Sequence, residues 1–391
     1  MILFEDAYNM VMNNSPTLGF EQIEMTSSVG RVLAEDVISD MAIPPFDKSA
    51  MDGYACCMGD IHQDLEVIEV IPAGKKPQNL IGKNQCAKIM TGAMIPEGAD
   101  CVIMVEYTEQ ISANKIRFKL EKTSPNICFK AEDIKEGQVV MQQGNLIRPQ
   151  HVAVMASVGC TFPKVYKLPK VGIITTGEEL VEPHQKPGVS EIRNSNGYQL
   201  IAQLKDINII PEYYGIVGDT EEAAIGTITK AFDENDVVIL TGGVSMGDFD
   251  MVPDLLKKLK VHIHFQKIAV QPGKPTTFGT KNHKLCFGLP GNPVSSFIQF
   301  ELLVKPAIYK MMGHEYKSFD LRMQIGKDIR RKKADRISWI PISLDMEGKV
   351  FRVDYHGSAH INSLTSAFGI MAIPIGTFEL KKEEWIHVRP L

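Results

Sequence analysis

Paired cysteines, a basic excess and long apolar runs are all missing from this sequence of 391 residues, and each absence excludes a class of protein. The seven cysteines form no C-x-x-C pair, so zinc ribbons and dithiol redox motifs lack support. They fit free thiols that pack as small apolar side chains in a reducing compartment. The formal net charge is −5, so we expect no large basic face for nucleic acid.

Membrane and secretion signals are also missing. The chain has no run of about 18 uncharged apolar residues, so we expect no membrane span. Its first residues carry Glu5 and Asp6 and no basic stretch, which favours a helix over a signal peptide. Apolar residues make up 44% and charged residues 23% of the chain, as in packed globular domains. We therefore expect a cytoplasmic protein without a membrane partner.

The first half of the chain alternates between helical and β-like texture. A predicted helix, Phe4–Met12, comes before the two prolines Pro44 and Pro45. Short alternating runs separated by Gly, Pro and Asn turns then fill residues 46–137, which is typical of an all-β domain. A second helix, Gln150–Val158, follows. We predict an N-terminal helical and linker domain (1–45 and 138–167) with an inserted β domain (46–137).

The second half predicts an α/β domain and a small β domain. Apolar runs at Val171–Thr175, Ile209–Ile216, Asp236–Thr241 and Leu285–Leu289 are each followed by a helical pattern. This alternation over residues 168–315 predicts a doubly wound, mostly parallel sheet. Residues 316–391 return to short strands with glycine turns, which predicts a small β-barrel-like domain. The expected fold class is therefore multidomain α/β plus β.

Three polar loops follow predicted parallel strands, where open α/β sheets bind their ligands. One contains Thr176 and Glu179, the second runs from Gly242 to Asp250, and the third runs from Pro290 to Ser296. Glycines allow close backbone approach, and amides at a helix start can donate to an anion. The alternative is that these are ordinary strand-to-helix turns. Additional hydroxyl donors would come from Ser245, Ser295 and Ser296.

The known nucleotide fingerprints do not occur. Gly273-Lys274 is followed by Pro275, so the G-x-x-x-x-G-K-[ST] pattern is incomplete, and no G-x-G-x-x-G is present. A phosphate bound at this sheet edge would therefore need a different α/β arrangement. Each exposed helix end contributes only about 0.3–1 kcal/mol, so several must converge on the ligand.

Charged residues accompany these loops. Asp248 and Asp250 are two positions apart, which suits Mg²⁺ held against phosphate oxygens. The alternative is that Asp250 caps the helix that follows. Lys267 and Lys274 flank a Gln271-Pro272-Gly273 turn and offer compact positive charges to an oxyanion, unless they are solvated surface lysines.

The ordered set of these segments resembles the molybdopterin molybdenumtransferase family, which includes bacterial MoeA, the plant insertase domain and the E domain of gephyrin. Each segment is weak evidence alone, whereas the complete series in this order is specific and covers nearly the whole chain. The matching segments are Pro45–Ala55, Ile89–Ala93, Thr175–Leu180, Asn194–Asn196, Gly242–Asp248, Pro272–Pro275 and Gly288–Pro293.

The resemblance implies an activity and an assembly. It implies that the chain inserts molybdate into adenylylated molybdopterin with Mg²⁺ as cofactor, releases AMP and forms the molybdenum cofactor. It also implies an elongated four-part subunit that forms a homodimer. The active cleft would lie between the molybdopterin-binding α/β domain of one subunit and the β domain of the other. A molybdopterin adenylyltransferase would be the pathway partner.

The resemblance also implies roles for individual residues. The catalytic set would be Asp52, Thr91, Glu179, Asp219 and Asp250. The metal ligands would be Asp248 and Asp250. The substrate-binding set would be Asp133, Thr176, Gly242, Gly243, Ser245, Lys267, Gln271, Lys274, Pro290, Gly291, Asn292, Pro293 and Ser295.

Two departures from the family pattern affect these roles. Ala131 stands where many members have Gly, two residues before Asp133. Gln271 stands where some members have lysine, so the oxyanion would depend on Lys267, Lys274 and Arg193.

Two rival functions fit part of the sequence. A pterin adenylyltransferase would explain the α/β segment and leave the matching β segment unexplained. A scaffold or binding module would resemble one role of gephyrin, but no extra linker or partner domain is evident. Molybdate and tungstate have nearly the same size and charge, so the sequence does not separate them.

Overall fold

Uninterrupted apolar runs build the centre of the largest α/β unit. The structure is a computed structural model that describes residues 1–217, 220–243, 252–354 and 357–391. All residues of the strand Val237–Thr241 are buried, as expected for a strand covered on both faces. We label the six strands of this sheet β1 Val171–Thr176, β2 Glu212–Val217, β3 Val237–Thr241, β4 His262–Phe265, β5 Thr277–Lys281 and β6 Lys284–Leu289.

The sheet is mixed, with the strand order β2-β1-β3-β6-β5-β4. Strand β1 pairs in parallel with β2 and β3, and β3 pairs in parallel with β6. These are the four predicted strands, so the parallel part of the fold is confirmed. The antiparallel pair β4 and β5 was not predicted, because neither short run has the length or alternation that indicates a strand.

Helices cover both faces of this sheet, as the doubly wound prediction requires. They are α1 Asn196–Asp206, α2 Glu221–Glu234, α3 Val252–Lys258, α4 Pro293–Gln299 and α5 Lys305–Met311. Leu200 of α1 and Ile298 of α4 join one core cluster, whereas Ile228 of α2 and Leu255 of α3 join the other. A single helix was predicted from Val294 to Lys305. The structure instead has a wider π-helical turn, Phe300–Val304, between α4 and α5.

The N-terminal part consists of two helices and short paired strands. Its helices, Phe4–Asn14 and Pro149–Ser157, confirm the two predicted ones within two residues. Strand Phe20–Gln22 pairs with Lys164–Tyr166, and Val37–Ile38 pairs with Val139–Met141. The chain before the β segment therefore pairs with the chain after it, and the two stretches form one structural unit.

The β segment forms a six-stranded sheet with apolar side chains on both faces. The buried residues alternate between two clusters, with Cys56 and Ile103 in one and Ala55 and Val102 in the other. The strand order is Cys101–Met104, Gly53–Cys56, Gln85–Ile89, Leu65–Ile71, Lys115–Phe118 and Thr108–Ser112. A short pair, Lys48–Ser49 with Ile127–Cys128, lies beside this sheet. All seven cysteines are free thiols, as predicted.

The C-terminal part closes into a five-stranded barrel around apolar residues such as Ile342, Val350 and Val388. Its longest strand pairs with two neighbours, and the other strands complete the ring. The barrel strands are Leu321–Ile325, Ile337–Leu344, Lys349–Arg352, Gly369–Ile373 and Trp385–Pro390. A short pair, Ile329–Arg330 with Glu379–Leu380, lies outside this ring. No helix formed by the described residues combines the length and apolar character of a membrane span.

A short strand joins the barrel to the α/β sheet. Val270–Gln271 follows β4 and pairs in parallel with the start of the barrel strand Ile337–Leu344. The loop after this short strand is thereby held between the carboxyl edge of the sheet and the barrel.

Candidate active site

The loops that follow β1, β3 and β6 surround a cavity of about 570 Å³. It lies where the predicted ligand site was expected, beyond the carboxyl ends of parallel strands. Many of the predicted site residues meet here. They are Thr176, Glu179, Gly242, Gly243, Pro290, Gly291, Asn292 and Pro293.

Two glycines allow the loops after β1 and β3 to touch. A Cβ on Gly242 would lie 2.1 Å from the Thr176 carbonyl oxygen, and one on Gly243 would lie 2.9 Å from Thr176 Oγ1. Both glycines have positive φ angles, 93° and 57°, which favour glycine. The Gly242 amide donates to the Leu289 carbonyl at 3.3 Å. This amide therefore stabilises the loop and is not free to bind an anion.

Asn196 links three loops of the cavity. Its side chain is 8% exposed, and Nδ2 donates to the Gly291 carbonyl at 2.8 Å and to Thr241 Oγ1 at 3.0 Å. The sequence placed Asn196 in a family segment but gave it no role. A polar Asn-Ser-Asn segment at the start of α1 was the available signal.

A polar network behind the cavity holds its outer wall. Asn194 Nδ2 donates to the Tyr213 hydroxyl at 2.7 Å, and Tyr213 donates to Glu182 at 2.8 Å. Tyr198 donates to the other oxygen of the same carboxylate at 2.9 Å. Burial raises the pKa of Tyr213, and Glu182 raises it further, so the phenol stays a donor.

The outer wall is a short parallel ribbon, Leu180–Val181 with Ile192–Arg193. The Ile192 amide donates to the Glu179 carbonyl at 2.7 Å, which fixes the backbone on which Glu179 and Arg193 stand. These two residues supply the charges among the described residues that line this cavity. The charges of the described residues that line the first cavity therefore nearly cancel.

A second cavity, of about 860 Å³, lies beside the first and shares Pro275, Pro290 and Asn292 with it. Among its described lining residues, four are cationic and none is acidic. The predicted residues Gln271, Lys274 and Ser295 line it. The other cations, which the sequence reasoning missed, are Lys332, Arg336 and Arg352 of the C-terminal part.

Buried contacts fix the loop that carries Lys274. A Cβ on Gly273 would lie 2.3 Å from the Gln299 side chain, whose Nε2 donates to the Pro272 carbonyl at 3.1 Å. Thr276 Oγ1 donates to the Gly273 carbonyl at 2.7 Å. Lys274 itself is exposed. The loop thus holds a positive charge at a defined place on the cavity wall.

The cations of the second cavity differ in their partners. Arg336 forms an ion pair with Asp335 at 3.6 Å. Lys274 and Lys332 have no acidic partner among the described residues. The basic run Arg330–Arg336 was the available signal in the sequence.

Asp52 and Thr91 pair with each other in the β segment. The Thr91 amide and hydroxyl donate to Asp52 Oδ1 at 2.6 and 2.8 Å, and these bonds hold the pKa of the Asp52 carboxyl below its usual value. No described residue of 46–137 lines either cavity. Within one chain, the structure therefore does not bring this pair to the cavities.

Other predicted residues lie apart or outside the described residues. The Asp133 amide donates to the Ile43 carbonyl at 3.0 Å, and the Lys267 carbonyl accepts from the Ile2 amide at 3.1 Å. Neither residue is among those that line the two cavities. In the part of the chain that the structure describes, no three His, Cys, Asp or Glu side chains form a metal site. Outside the described residues lie Asp219, Ser245, Asp248 and Asp250.

Comparison with known proteins agrees with this geometry. Residues 2–159 match the model of the MoeA N-terminal region (domain I and II), and residues 172–310 match that of a probable molybdopterin binding domain. The molybdopterin molybdenumtransferase of Staphylococcus epidermidis is 39% identical over 319 residues, which are 80% of this chain and 76% of that protein. The chain belongs to the molybdopterin molybdenumtransferase family.

Other members support the assignment. The molybdopterin molybdenumtransferase of Staphylococcus aureus is 36% identical over 79% of this chain and 75% of its own. The crystal structure of the molybdopterin biosynthesis moeA protein from Pyrococcus horikoshii aligns with a TM-score of 0.86 at 31% identity, over all of both chains. The resemblance seen in the sequence is confirmed, and the chain is a transferase of molybdenum cofactor biosynthesis.

Proposed function

We propose that the two adjoining cavities form one active site, which inserts molybdate into adenylylated molybdopterin. The observation that carries this proposal is their shared wall of Pro275, Pro290 and Asn292, together with their difference in charge. A nearly neutral compartment beside a cationic one fits a pterin that must meet a metal oxyanion.

The first cavity suits the pterin and its phosphates. Apolar side chains such as Leu180, Ile192 and Ile361 line it and can cover a ring. Gly243 and Gly291 leave the backbone open to close approach by a phosphate. Thr176 and Ser195 add hydroxyl groups to the same wall.

The second cavity suits a tetrahedral dianion. Two unit charges 4 Å apart attract by roughly 4 kcal/mol at the effective dielectric near a protein surface. Several cations on one wall therefore favour molybdate over neutral ligands, and Gln271 adds an uncharged donor. An oxyanion bound here lies next to the first cavity, where the dithiolene sulfurs would replace its oxygen ligands. The displaced oxygen would leave as water or hydroxide after taking up the thiol protons. A water molecule would attack the phosphoanhydride bond to adenylate, so AMP leaves and the pterin keeps its own phosphate.

The remaining predicted roles belong to this proposal. Mg²⁺ would be held by Asp248 and Asp250 and would neutralise phosphate charge. Asp52 and Glu179 are the candidates for activating the nucleophile. Thr91 would orient Asp52, and Asp219 would belong to the catalytic set. Asp133, Ser245 and Lys267 would assist substrate binding. We place the enzyme in the cytoplasm, downstream of a molybdopterin adenylyltransferase.

The proposed subunit has four parts and functions as a homodimer. These parts are 1–45 with 138–167, then 46–137, 168–315 and 316–391. Because Asp52 and Thr91 lie outside both cavities of their own chain, we propose that they serve the cavity of the second subunit. The active site would then need residues from both copies.

Mixing two inactive variants tests this shared site. Asp52→Ala and Asp250→Ala proteins are unfolded, combined and refolded together. A shared site predicts that mixed dimers keep one intact site, so activity returns to about one quarter of the wild-type value. Each variant refolded alone is the control. Recovery no greater than that of the controls places both residues in the site of one chain, which contradicts the proposal.

AMP release tests the activity itself. The purified protein is incubated with adenylylated molybdopterin and Mg²⁺, with or without molybdate, and AMP and cofactor-bound molybdenum are measured. We expect AMP release that requires molybdate and matches molybdenum insertion. Asp250→Ala should lower turnover strongly while the protein stays folded. Pyrophosphate formation from ATP and molybdopterin would instead identify an adenylyltransferase.

A further inference from the structure

Asn196 lines the first cavity, and its buried amide oxygen has no hydrogen-bond partner among the described residues. Both hydrogens on Nδ2 are used, by the Gly291 carbonyl and by Thr241 Oγ1. A carbonyl oxygen can only accept, so the Asn196 atom that faces the Gly291 carbonyl must be the nitrogen Nδ2. Thr241 in turn donates to the Pro290 carbonyl at 3.4 Å, which leaves its oxygen to accept from Asn196. The orientation of the amide is therefore determined.

The unpaired oxygen needs a donor. Buried polar atoms nearly always have hydrogen-bond partners, because a buried polar atom without one costs free energy. Phosphate and molybdate oxygens are acceptors at neutral pH and cannot satisfy an amide oxygen. If the partner belongs to the substrate, it must therefore be a part that carries N–H or O–H groups.

The surroundings favour a heterocycle over a sugar. Leu180, Ile192 and Ile361 line the same cavity and offer apolar contact to a flat ring. Thr176 lines the same cavity, and its Oγ1 is likewise buried without a partner among the described residues. An amide oxygen can accept from the amino group of an aminated heterocycle, and a hydroxyl can donate to a ring nitrogen or carbonyl.

We propose that Asn196 Oδ1 accepts a hydrogen bond from the amino group of a bound heterocycle and so contributes to substrate specificity. This inference rests on the proposed function, whose substrate carries two such rings, a pterin and an adenine. The network of Asn194, Tyr213 and Glu182 holds the start of α1 and keeps Asn196 in position, since Asn194 Oδ1 accepts from the Gly197 amide at 3.1 Å.

Two pairs of ligands that differ at the amino group distinguish the possible rings. The first pair is AMP and purine riboside 5′-monophosphate, which lacks the amino group. The second pair is 6-hydroxymethylpterin and 6-hydroxymethyllumazine, which carries an oxo group instead. Binding of all four to the wild-type protein and to Asn196→Ala is measured by titration calorimetry.

Asn235→Ala is the matched control. Asn235 is 4% exposed, and its Nδ2 donates to the Ala231 carbonyl at 2.9 Å and to the Tyr214 hydroxyl at 2.8 Å. It lies at the opposite end of the sheet and lines neither cavity of the proposed active site. Its loss removes a comparable buried amide without touching the ligand.

We expect the wild-type protein to prefer the aminated member of one pair by about tenfold, the factor that one net hydrogen bond supplies. The pair that shows the preference identifies the ring. Asn196→Ala should abolish the preference, and Asn235→Ala should keep it. Asn196→Ser, which keeps a small polar side chain but has no amide oxygen, replaces the alanine variant if that variant does not fold.

Two outcomes overturn the inference. One is equal binding within both pairs by the wild-type protein, and the other is an unchanged preference in the Asn196 variants. If neither variant folds, the comparison in the wild-type protein decides. A different result, in which the wild-type protein binds none of the four ligands, contradicts the proposed function itself.

Discussion

The two ends of the α/β sheet each open into a cavity, and the two cavities differ in how their polar atoms are paired. The cavity at the amino ends, of about 420 Å³, is lined by Lys170, Tyr214 and Asn235 among others. There the Tyr214 hydroxyl donates to Glu234 at 2.6 Å and accepts from Asn235 at 2.8 Å. Burial, helped by Glu234, raises the pKa of Tyr214 to about 12, so the phenol stays a donor.

At the carboxyl ends the pattern is reversed. Among the described residues, Thr176 Oγ1 and Asn196 Oδ1 are buried without partners, and Gly242 adopts a backbone conformation that other residues rarely reach. We therefore propose different roles for these cavities. Unpaired polar atoms and constrained glycines mark the end that binds a ligand, whereas satisfied polar atoms mark the end that stabilises the fold.

The largest effect should come from Gly242→Ala. The new Cβ would collide with the Thr176 carbonyl, 2.1 Å away, and would force the two loops apart. A displacement of about 1 Å at a reacting centre can cost about 100-fold in rate, and we expect at least that loss of AMP release. The control is Gly226→Ala in α2, where the position is exposed and nothing lies within 4 Å. Normal turnover by Gly242→Ala would show that the loop contact is not needed.

Lys274→Ala should have a smaller effect that is confined to the oxyanion. Loss of one unpaired cation should raise the half-saturating molybdate concentration by about tenfold, equivalent to about 1.4 kcal/mol. Binding of the adenylylated pterin should change little. Lys170→Ala at the amino end of the same sheet is the control. An unchanged molybdate dependence in Lys274→Ala would move the oxyanion site elsewhere.

Asn235→Ala should affect stability and not turnover. Removing the amide leaves the Tyr214 hydroxyl without its donor and takes one of two donors from the Ala231 carbonyl, which keeps the backbone amide of residue 235. The loss should cost about 1–3 kcal/mol of unfolding free energy. The rate of AMP release per folded protein should equal that of the wild type. Urea unfolding and a turnover assay measure the two quantities. A rate loss without loss of stability would contradict the structural role of this end.

The smallest effect concerns pH and Tyr214. Because the pKa of this phenol is raised in the folded protein, its stabilising contribution is present below the ordinary tyrosine value near 10 and is lost as pH rises through about 12. The stability difference between wild type and Tyr214→Phe should therefore be constant from pH 7 to 9 and should shrink above pH 10. Tyr107→Phe, at an exposed tyrosine, is the control. A difference that grows with alkaline pH would be inconsistent with this environment.

Apolar patterns in the sequence predicted the parallel strands and the residues that lie at their carboxyl ends. The apolar runs of β1, β3 and β6 indicate buried parallel strands, and the topology rule then places Thr176, Gly242 and Pro290 at one edge. The polar residues gathered at this edge were correspondingly predictable. Their roles in catalysis, and those of Asp219, Ser245, Asp248 and Asp250, stay predictions.

Contacts between distant segments were not predictable. Lys332, Arg336 and Arg352 join Lys274 because Val270–Gln271 pairs with the barrel strand Ile337–Leu344, a pairing with no local signal. The net charge of −5 describes the whole chain and gives no indication of this local concentration of cations. The role of Asn196 likewise depends on hydrogen bonds to residues 45 and 95 positions away.

The bridge between Ile43 and Ile134 has a consequence for how the chain is assembled. The Ile43 amide donates to the Ile134 carbonyl at 2.7 Å, and the Asp133 and Ile134 amides donate back to Ile43 at 3.0 Å. Entry to and exit from the β segment therefore occur side by side. A two-residue turn could join these two points of the chain. The segment could then be deleted, or inserted into another protein, without a change in the path of the remaining chain. Gene rearrangements could gain or lose this part in one step.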